Sequence, residues 1–178
     1  MTDRTQLLEG LETSAATFTA SLLGLSPAQF HFKPGLDRWS VADTAEHVIV
    51  AETGSGKLIR GKLVREEATP ELIEAAHDGF AKVDRRLLKR DTPFPAPDFV
   101  MPTGRWPTPE AMIAVFEESR RATIDFLKAT QLDLTRFVAP HPALGPLNGE
   151  GWLLFLIRHA VRHIEQIDET KAAPGYPR

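Results

Sequence analysis

From Asn148 to Thr170 the chain reads NGEGWLLFLIRHAVRHIEQIDET, and Pro174-Gly175 then stops the run. At about 100° per residue, Arg158, Arg162, Glu165 and Glu169 share one side of a helix, and Leu153, Ile157, Ala160 and Ile164 share the opposite side. A helix with so pronounced an apolar face is stable only against partners of the same kind, so this segment calls for a helical core.

Three further segments supply it. In the first, Leu8, Leu11, Ala15, Phe18, Leu22 and Leu25 alternate by three and four until Ser26-Pro27, a seam suited to a helix bundle. The second opens at Ser40, whose hydroxyl can cap the first turn with Asp43 at the acidic third position, and runs to about Val64. The third starts at Thr108-Pro109-Glu110, an N-cap followed by proline and an acidic first turn, and Met112, Val115, Phe116, Ser119, Ala122 and Phe126 mark its inner face. No β-type alternation of useful length is present, so the expected class is all-α, in one domain over 1–178. That length is enough to bury a real core.

About forty residues separate the second and third helices. Such a loop inside a compact domain is expected to carry structure of its own. Thr69-Pro70-Glu71 is another helix start, and ELIEAAHDGFAKVDRRLLKR suits one or two short helices. The following stretch has six prolines from Pro93 to Pro109 and cannot be regular helix. Its Phe94, Phe99, Met101 and Trp106 are more apolar bulk than a free linker carries, so the segment is expected to pack over the bundle.

Composition narrows the function. A net charge of −3 leaves no basic footprint for nucleic acid. The longest apolar stretch, Trp152 to Ile157, is too short to cross a bilayer. The start MTDRTQLLEGLETS has acidic residues and no apolar h-region, so no secretory signal is expected. With no cysteine there is no disulfide, thiolate zinc ligand or Cys nucleophile, and a cytoplasmic location is the expectation.

Histidines are then the notable chemistry. His159 and His163 lie one turn apart, close enough for both rings to reach one ion. Among six histidines in 178 residues such a pair arises by chance in roughly one sequence in six, so spacing alone is a weak signal. The helical wheel adds to it: both project between the charged and apolar faces, on a stripe with Trp152 and Leu156, where a buried imidazole needs a partner. A third ligand should come from another helix, and His47 is the best placed, bordering the apolar set Val41, Thr44, Val48, Ala51 and Leu58. Ala45, Ala51, Gly54 and Gly56 nearby would let a second helix approach closely. His31 and His141, in proline-flanked loops, and His77, among charged neighbours, read as ordinary surface or turn histidines. Gln166, one turn beyond His163, is a candidate to orient a ligand or a water. Glu165, Arg158 and Arg162 read as a solvated face, and Trp39 and Trp152 as packing groups.

Two stretches carry a resemblance. RWSVADTAEHVIVAE, with Trp39-Ser40 opening a helix and His47 seven residues after the serine, resembles the second-helix signature of the DinB-like family. HPALGPLNGEGWLLFLIRHAVRHIEQI, with Gly145, Trp152, His159, His163 and Gln166, resembles its C-terminal signature. The order and spacing of helices are similar over nearly the whole chain, including the long crossover. The resemblance implies a four-helix bundle running up-down-down-up and a divalent metal (zinc, nickel or iron) held by His47, His159 and His163. It also implies a small-molecule substrate, with low-molecular-weight thiol S-transfer or hydrolysis as the chemistry, and a homodimer. The competing expectation is a metal- or ligand-binding stress protein without turnover.

Overall fold

The computed structural model describes residues 4–89 and 96–178. The chain forms α1 (Arg4–Leu22), the single turn α2 (Pro27–Phe30), α3 (Val41–Lys57), α4 (Pro70–Ala75), α5 (Gly79–Leu88), α6 (Pro109–Ala129) and α7 (Gly149–Lys171), of which α1, α3, α6 and α7 are the long helices. Their starts are chemical. The Asp43 N–H donates to Ser40 Oγ at 3.1 Å while the Ser40 N–H donates to Asp43 Oδ2 at 2.9 Å, a reciprocal cap that opens α3. Thr108 Oγ1 accepts from the Ala111 N–H at 3.2 Å, with Pro109 at the first helical position of α6. Asn148 Oδ1 accepts from the Gly151 N–H at 2.8 Å and opens α7.

The direction of each long helix follows from which of its ends lies in which half of the core. One half joins Leu7 and Leu11 of α1, Ile59 and Leu63 just beyond α3, Leu127 of α6 and Leu153 of α7. The other joins Phe18 and Leu22 of α1, Val41 and Val48 of α3, Met112 and Phe116 of α6, and Ile164 and Ile167 of α7. Hence α1 and α7 run one way and α3 and α6 the other, which is up-down-down-up. Around the bundle α1 packs on α6 and α7, and α3 packs on the same two. Since α3 and α6 are parallel neighbours, the connection between them must travel back the length of the bundle. It does so through α4 and α5, with α5 laid on α7 by Val83 and Leu87, and through a 3-10 turn at Asp98–Val100.

The expected packing of the proline-rich segment is selective. Val100 is buried and Trp106 rests on the core, whereas Phe99 and Met101 stay 66% and 38% exposed. Pro93 and Phe94 lie outside the described residues.

Several boundaries depart from the periodicity. Helix α1 stops at Leu22, and Leu25 packs on the core from beyond its end. The second long helix keeps α geometry only to Lys57, then widens to a π turn over Leu58–Lys62 and tightens to a 3-10 turn over Leu63–Arg65. Ile59 and Leu63, within these turns, both reach the core. Helix α6 is rotated from its expected inner face: Met112, Phe116, Ser119, Arg120, Thr123 and Leu127 are buried, and Val115, Ala122 and Phe126 are only partly so. A hairpin unforeseen in the sequence, β1 (Val138–His141) and β2 (Gly145–Asn148), precedes α7, pairing Val138 with Asn148 and His141 with Gly145. Four-residue strands are too short to show an alternation. Gly145 takes φ +77° to close the turn, a conformation that disfavours a side chain.

The two core halves meet at an ion pair. Arg120 donates from Nε and Nη2 to the two carboxylate oxygens of Glu52, both at 2.8 Å. Its Nη1 donates to Leu11 O at 2.9 Å and Ser14 Oγ at 2.8 Å, and Nη2 reaches Leu156 O at 3.3 Å. Arg120 and Glu52 are 1% and 2% exposed. Replacing one member strands the other charge, so Arg120→Met is expected to lose about 3–5 kcal/mol in urea unfolding, and the double change Arg120→Met, Glu52→Met to regain much of it.

Candidate metal centre

His47 projects from the second turn of α3, and His159 and His163 from successive turns of α7, where these two helices pack together. The three rings are 5%, 9% and 7% exposed. Their Nε2 atoms converge: His159 Nε2 lies 3.1 Å from His47 Nε2 and 3.1 Å from His163 Nε2. One ligand atom from each of the three falls within 4.8 Å of the others.

The opposite ring edges fix the tautomers. His47 Nδ1 is 3.1 Å from the carbonyl oxygen of Val100, which can only accept, so the proton sits on Nδ1 and Nε2 presents a lone pair. His163 Nδ1 faces Gln166 Oε1 at 2.5 Å, which has the same consequence. Two lone pairs therefore point at His159 Nε2 in a buried space; as an N–H it can donate to only one of them, whereas with its own lone pair inward all three can share a cation. Nitrogens 3.1 Å apart also span the edge that two metal–nitrogen bonds of about 2.1 Å subtend at roughly 95°. Burial, and then the neighbouring imidazoles His163 and His47, hold His159 well below its ordinary pKa of 6.5. Burial lowers His47 too, against an opposing pull from the bond to Val100. Neutral rings are the form that ligates a cation.

The triad lies in the wall of a cavity of about 850 Å³ whose other walls include Trp39, Phe99, His141, Trp152, Phe155 and Gln166. The Trp39 ring stands 5.1 Å from that of His47, and Phe155 stands 5.0 Å from His159. Trp152 is core packing as well, buried with its Nε1–H donated to Ala139 O at 3.2 Å. Of the small residues on α3, Gly56 lets α6 come close, since a Cβ there would sit 3.0 Å from Thr123 Oγ1, while Gly54 and Ala51 open onto the cavity.

Other histidines and charges sort differently from their sequence positions. His31 and His77 are exposed, as expected of surface groups. His141 is not one of these: it is half-buried in the cavity wall, 4.6 Å from the Phe155 ring, and burial pushes its pKa down to about 4. Glu165 is exposed. Arg162 corrects the solvated-face reading, being 8% exposed and donating from Nη1 to Leu87 O and Lys89 O at 3.1 and 2.9 Å. The carbonyls at the C-terminal end of α5 have no helical partner and take it inward. Arg158 pairs with Asp84 of α5 at 2.6 Å.

Sequence reasoning passed over Glu46. Its carboxylate, 1% exposed, accepts the backbone N–H groups of Thr103, Gly104 and Arg105 at 2.7, 2.7 and 3.2 Å, and the Thr103 hydroxyl at 3.1 Å. Adjacent residues of α3 thus tie down one loop twice: Glu46 fixes 103–105, and His47 meets the carbonyl of Val100. A charge beside an apolar stripe was the only signal available for it.

Residues 10–167 match the DinB superfamily, and the chain belongs to it. An uncharacterized protein of Bacillus subtilis (strain 168), YuaE, is 29% identical over 157 residues, covering 84% of this chain and 88% of that protein. The fold is similar to that of YfiT from Bacillus subtilis, with a TM-score of 0.54 at 14% identity, over 99% of this chain and 91% of the other. YfiT is described as a probable metal-dependent hydrolase with an unusual four-helix bundle topology. No helix among the described residues is long and apolar enough to cross a membrane.

Two outcomes follow from this geometry. Glu46→Gln removes the charge that gathers three N–H groups and loosens the acceptor for His47. It is expected to cost about 1.5–3 kcal/mol of stability in urea and to weaken zinc affinity at least about 10-fold in a competitive chelator titration. Separately, below pH 6.5 the unfolded chain takes up protons at positions 47 and 159 that the folded chain refuses, because both folded pKa values are lowered. Stability of the metal-free protein should therefore fall as pH drops from 6.5, by up to about 1.4 kcal/mol per pH unit for each such group, and His159→Gln should show a shallower fall in denaturation measured across pH 5–7.

Proposed function

We propose that this chain is a metal-dependent enzyme in which His47, His159 and His163 hold a divalent zinc, nickel or iron ion, and which transfers a low-molecular-weight thiol to a small electrophilic substrate. The observation that carries the reading is the convergence of three Nε2 atoms, two with their lone pairs fixed, on the wall of a cavity large enough for a small molecule. Imidazole suits all three metals, so the ligand set does not choose among them. When bound, such an ion acts as a Lewis acid that lowers the pKa of a thiol or water in an open coordination position.

The chain's own groups do the positioning. Val100 O and Gln166 Oε1 hold the rings of His47 and His163 by their Nδ1 edges. Trp39 and Phe155 supply apolar walls beside the ligands and limit water. Among the described residues, the acidic groups lining the cavity, Asp37 and Glu169, are both exposed and belong to its rim, not its depth. With no inner carboxylate base among the described residues, a thiol, whose free pKa near 8.5 needs less lowering than that of water, near 15.7, is the better-suited nucleophile. The absence of cysteine from the chain is no obstacle, as the thiol arrives as cosubstrate. Hydrolysis is the second reading, favoured by the description of YfiT.

Elemental analysis of protein purified without a polyhistidine tag tests the site. About one metal per chain is expected in the wild type and none in a His159→Ala, His163→Ala double variant; equal, negligible metal in both would refute the site. Turnover is tested with a panel of small thiols and a fluorogenic electrophile on metal-loaded protein. Metal-dependent conjugation supports thiol transfer, ester cleavage without thiol supports hydrolysis, and neither activity favours a binding protein.

A further inference from the structure

The cavity holds a fourth imidazole that the site described above does not use. His141 closes β1 at the turn before Gly145, with its ring against Phe155 at 4.6 Å and Trp152 at 5.1 Å. Phe155 in turn lies against His159, so His141 is one aromatic ring removed from the triad. It is not among the residues whose ligand atoms come within 4.8 Å of one another, so it stands outside the metal-ligand set.

Its hydrogen bonding fixes its chemistry. His141 Nδ1 accepts the N–H of Ala143, two residues on in the same turn, at 3.2 Å. A ring nitrogen that accepts a backbone N–H carries no proton, so the neutral ring has its hydrogen on Nε2. That N–H meets no protein acceptor among the described residues, and the residue lines the cavity. A donor with no protein partner on the wall of an apolar cavity is what confers orientation on a ligand. The hairpin adds rigidity: four paired positions and the Gly145 turn hold β1, so the donor is set before any ligand arrives.

We propose that His141 is a specificity-determining residue whose Nε2–H holds an acceptor oxygen of the substrate. The substrate class is then a small molecule with a carbonyl oxygen joined to a flat apolar group, the oxygen at His141 and the apolar part against Phe155 and Trp39. The proposal rests on the three-histidine site reading.

The test uses nickel-loaded protein and two probes that bind through the metal, followed by optical titration. 4-Mercaptoacetophenone binds through sulfur and carries a carbonyl oxygen on the far side of its aromatic ring, and thiophenol offers the same ring and sulfur without the oxygen. His141→Phe is expected to weaken 4-mercaptoacetophenone about 10-fold, the loss of one hydrogen bond, and to leave thiophenol and nickel affinity unchanged. His141→Gln, which keeps an N–H donor, should recover most of the loss. Equal weakening of both probes, no weakening of either, or a His141→Gln variant no better than His141→Phe would overturn the proposal. Failure of the wild type to take up nickel saturably would sink the metal-site reading itself, a result distinct from unchanged probe binding by a loaded protein.

Discussion

One guanidinium touches all four long helices. Arg120 of α6 grips Glu52 of α3, Leu11 O and Ser14 of α1, and Leu156 O of α7, in a layer between the two apolar halves of the core. An apolar core specifies that helices pack but only weakly at what depth, because one apolar contact substitutes for another. A buried charge with five donors in a rigid fork has few satisfactory arrangements. It sets the axial register of α3 against α7. Glu52 lies five residues from His47, and Leu156 lies three residues from His159, so the same register brings the imidazoles to 3.1 Å.

The second constraint comes from topology. Parallel α3 and α6 oblige the chain to return along the bundle, and the returning segment is put to use. Glu46 gathers three consecutive N–H groups of the crossover, and that places Val100 O on His47 Nδ1. The group that fixes one histidine's tautomer is thus 53 residues away in the chain. The same crossover brings Phe99 to the cavity and lays α5 on α7, where Arg162 closes its C-terminal carbonyls. The hairpin before α7 does the corresponding work on the far wall, presenting His141.

Much of this was legible, and what was missed has common causes. Caps at Ser40 and Thr108 mark helix starts because they are local chemistry, decided within four residues. The stripe that carries Trp152, Leu156, His159 and His163 was readable because α7 is long and regular. Glu52 and Arg120 are charged residues on core stripes, Arg120 lying four residues beyond Phe116 and eight beyond Met112. Taking polarity as a sign of exposure hides such pairs, since the compensating charge lies 68 residues away. Arg162 was misread for the same reason, its partners being backbone carbonyls that no side-chain pattern reveals. His141 was assigned to a surface turn because its strand is four residues long and its burial depends on Trp152 and Phe155.

The sequence by itself determined the helical class, the four long segments, their caps and the need for a structured crossover, because periodicity and capping act over a few residues. It also singled out His47, His159 and His163 as residues in search of partners. Only the tertiary structure decided the depth at which α3 meets α7, the hydrogen bonds that turn two Nε2 lone pairs inward, and the aromatic walls of the cavity. Those depend on contacts between residues far apart in the chain, and no local pattern encodes the distance between two helices.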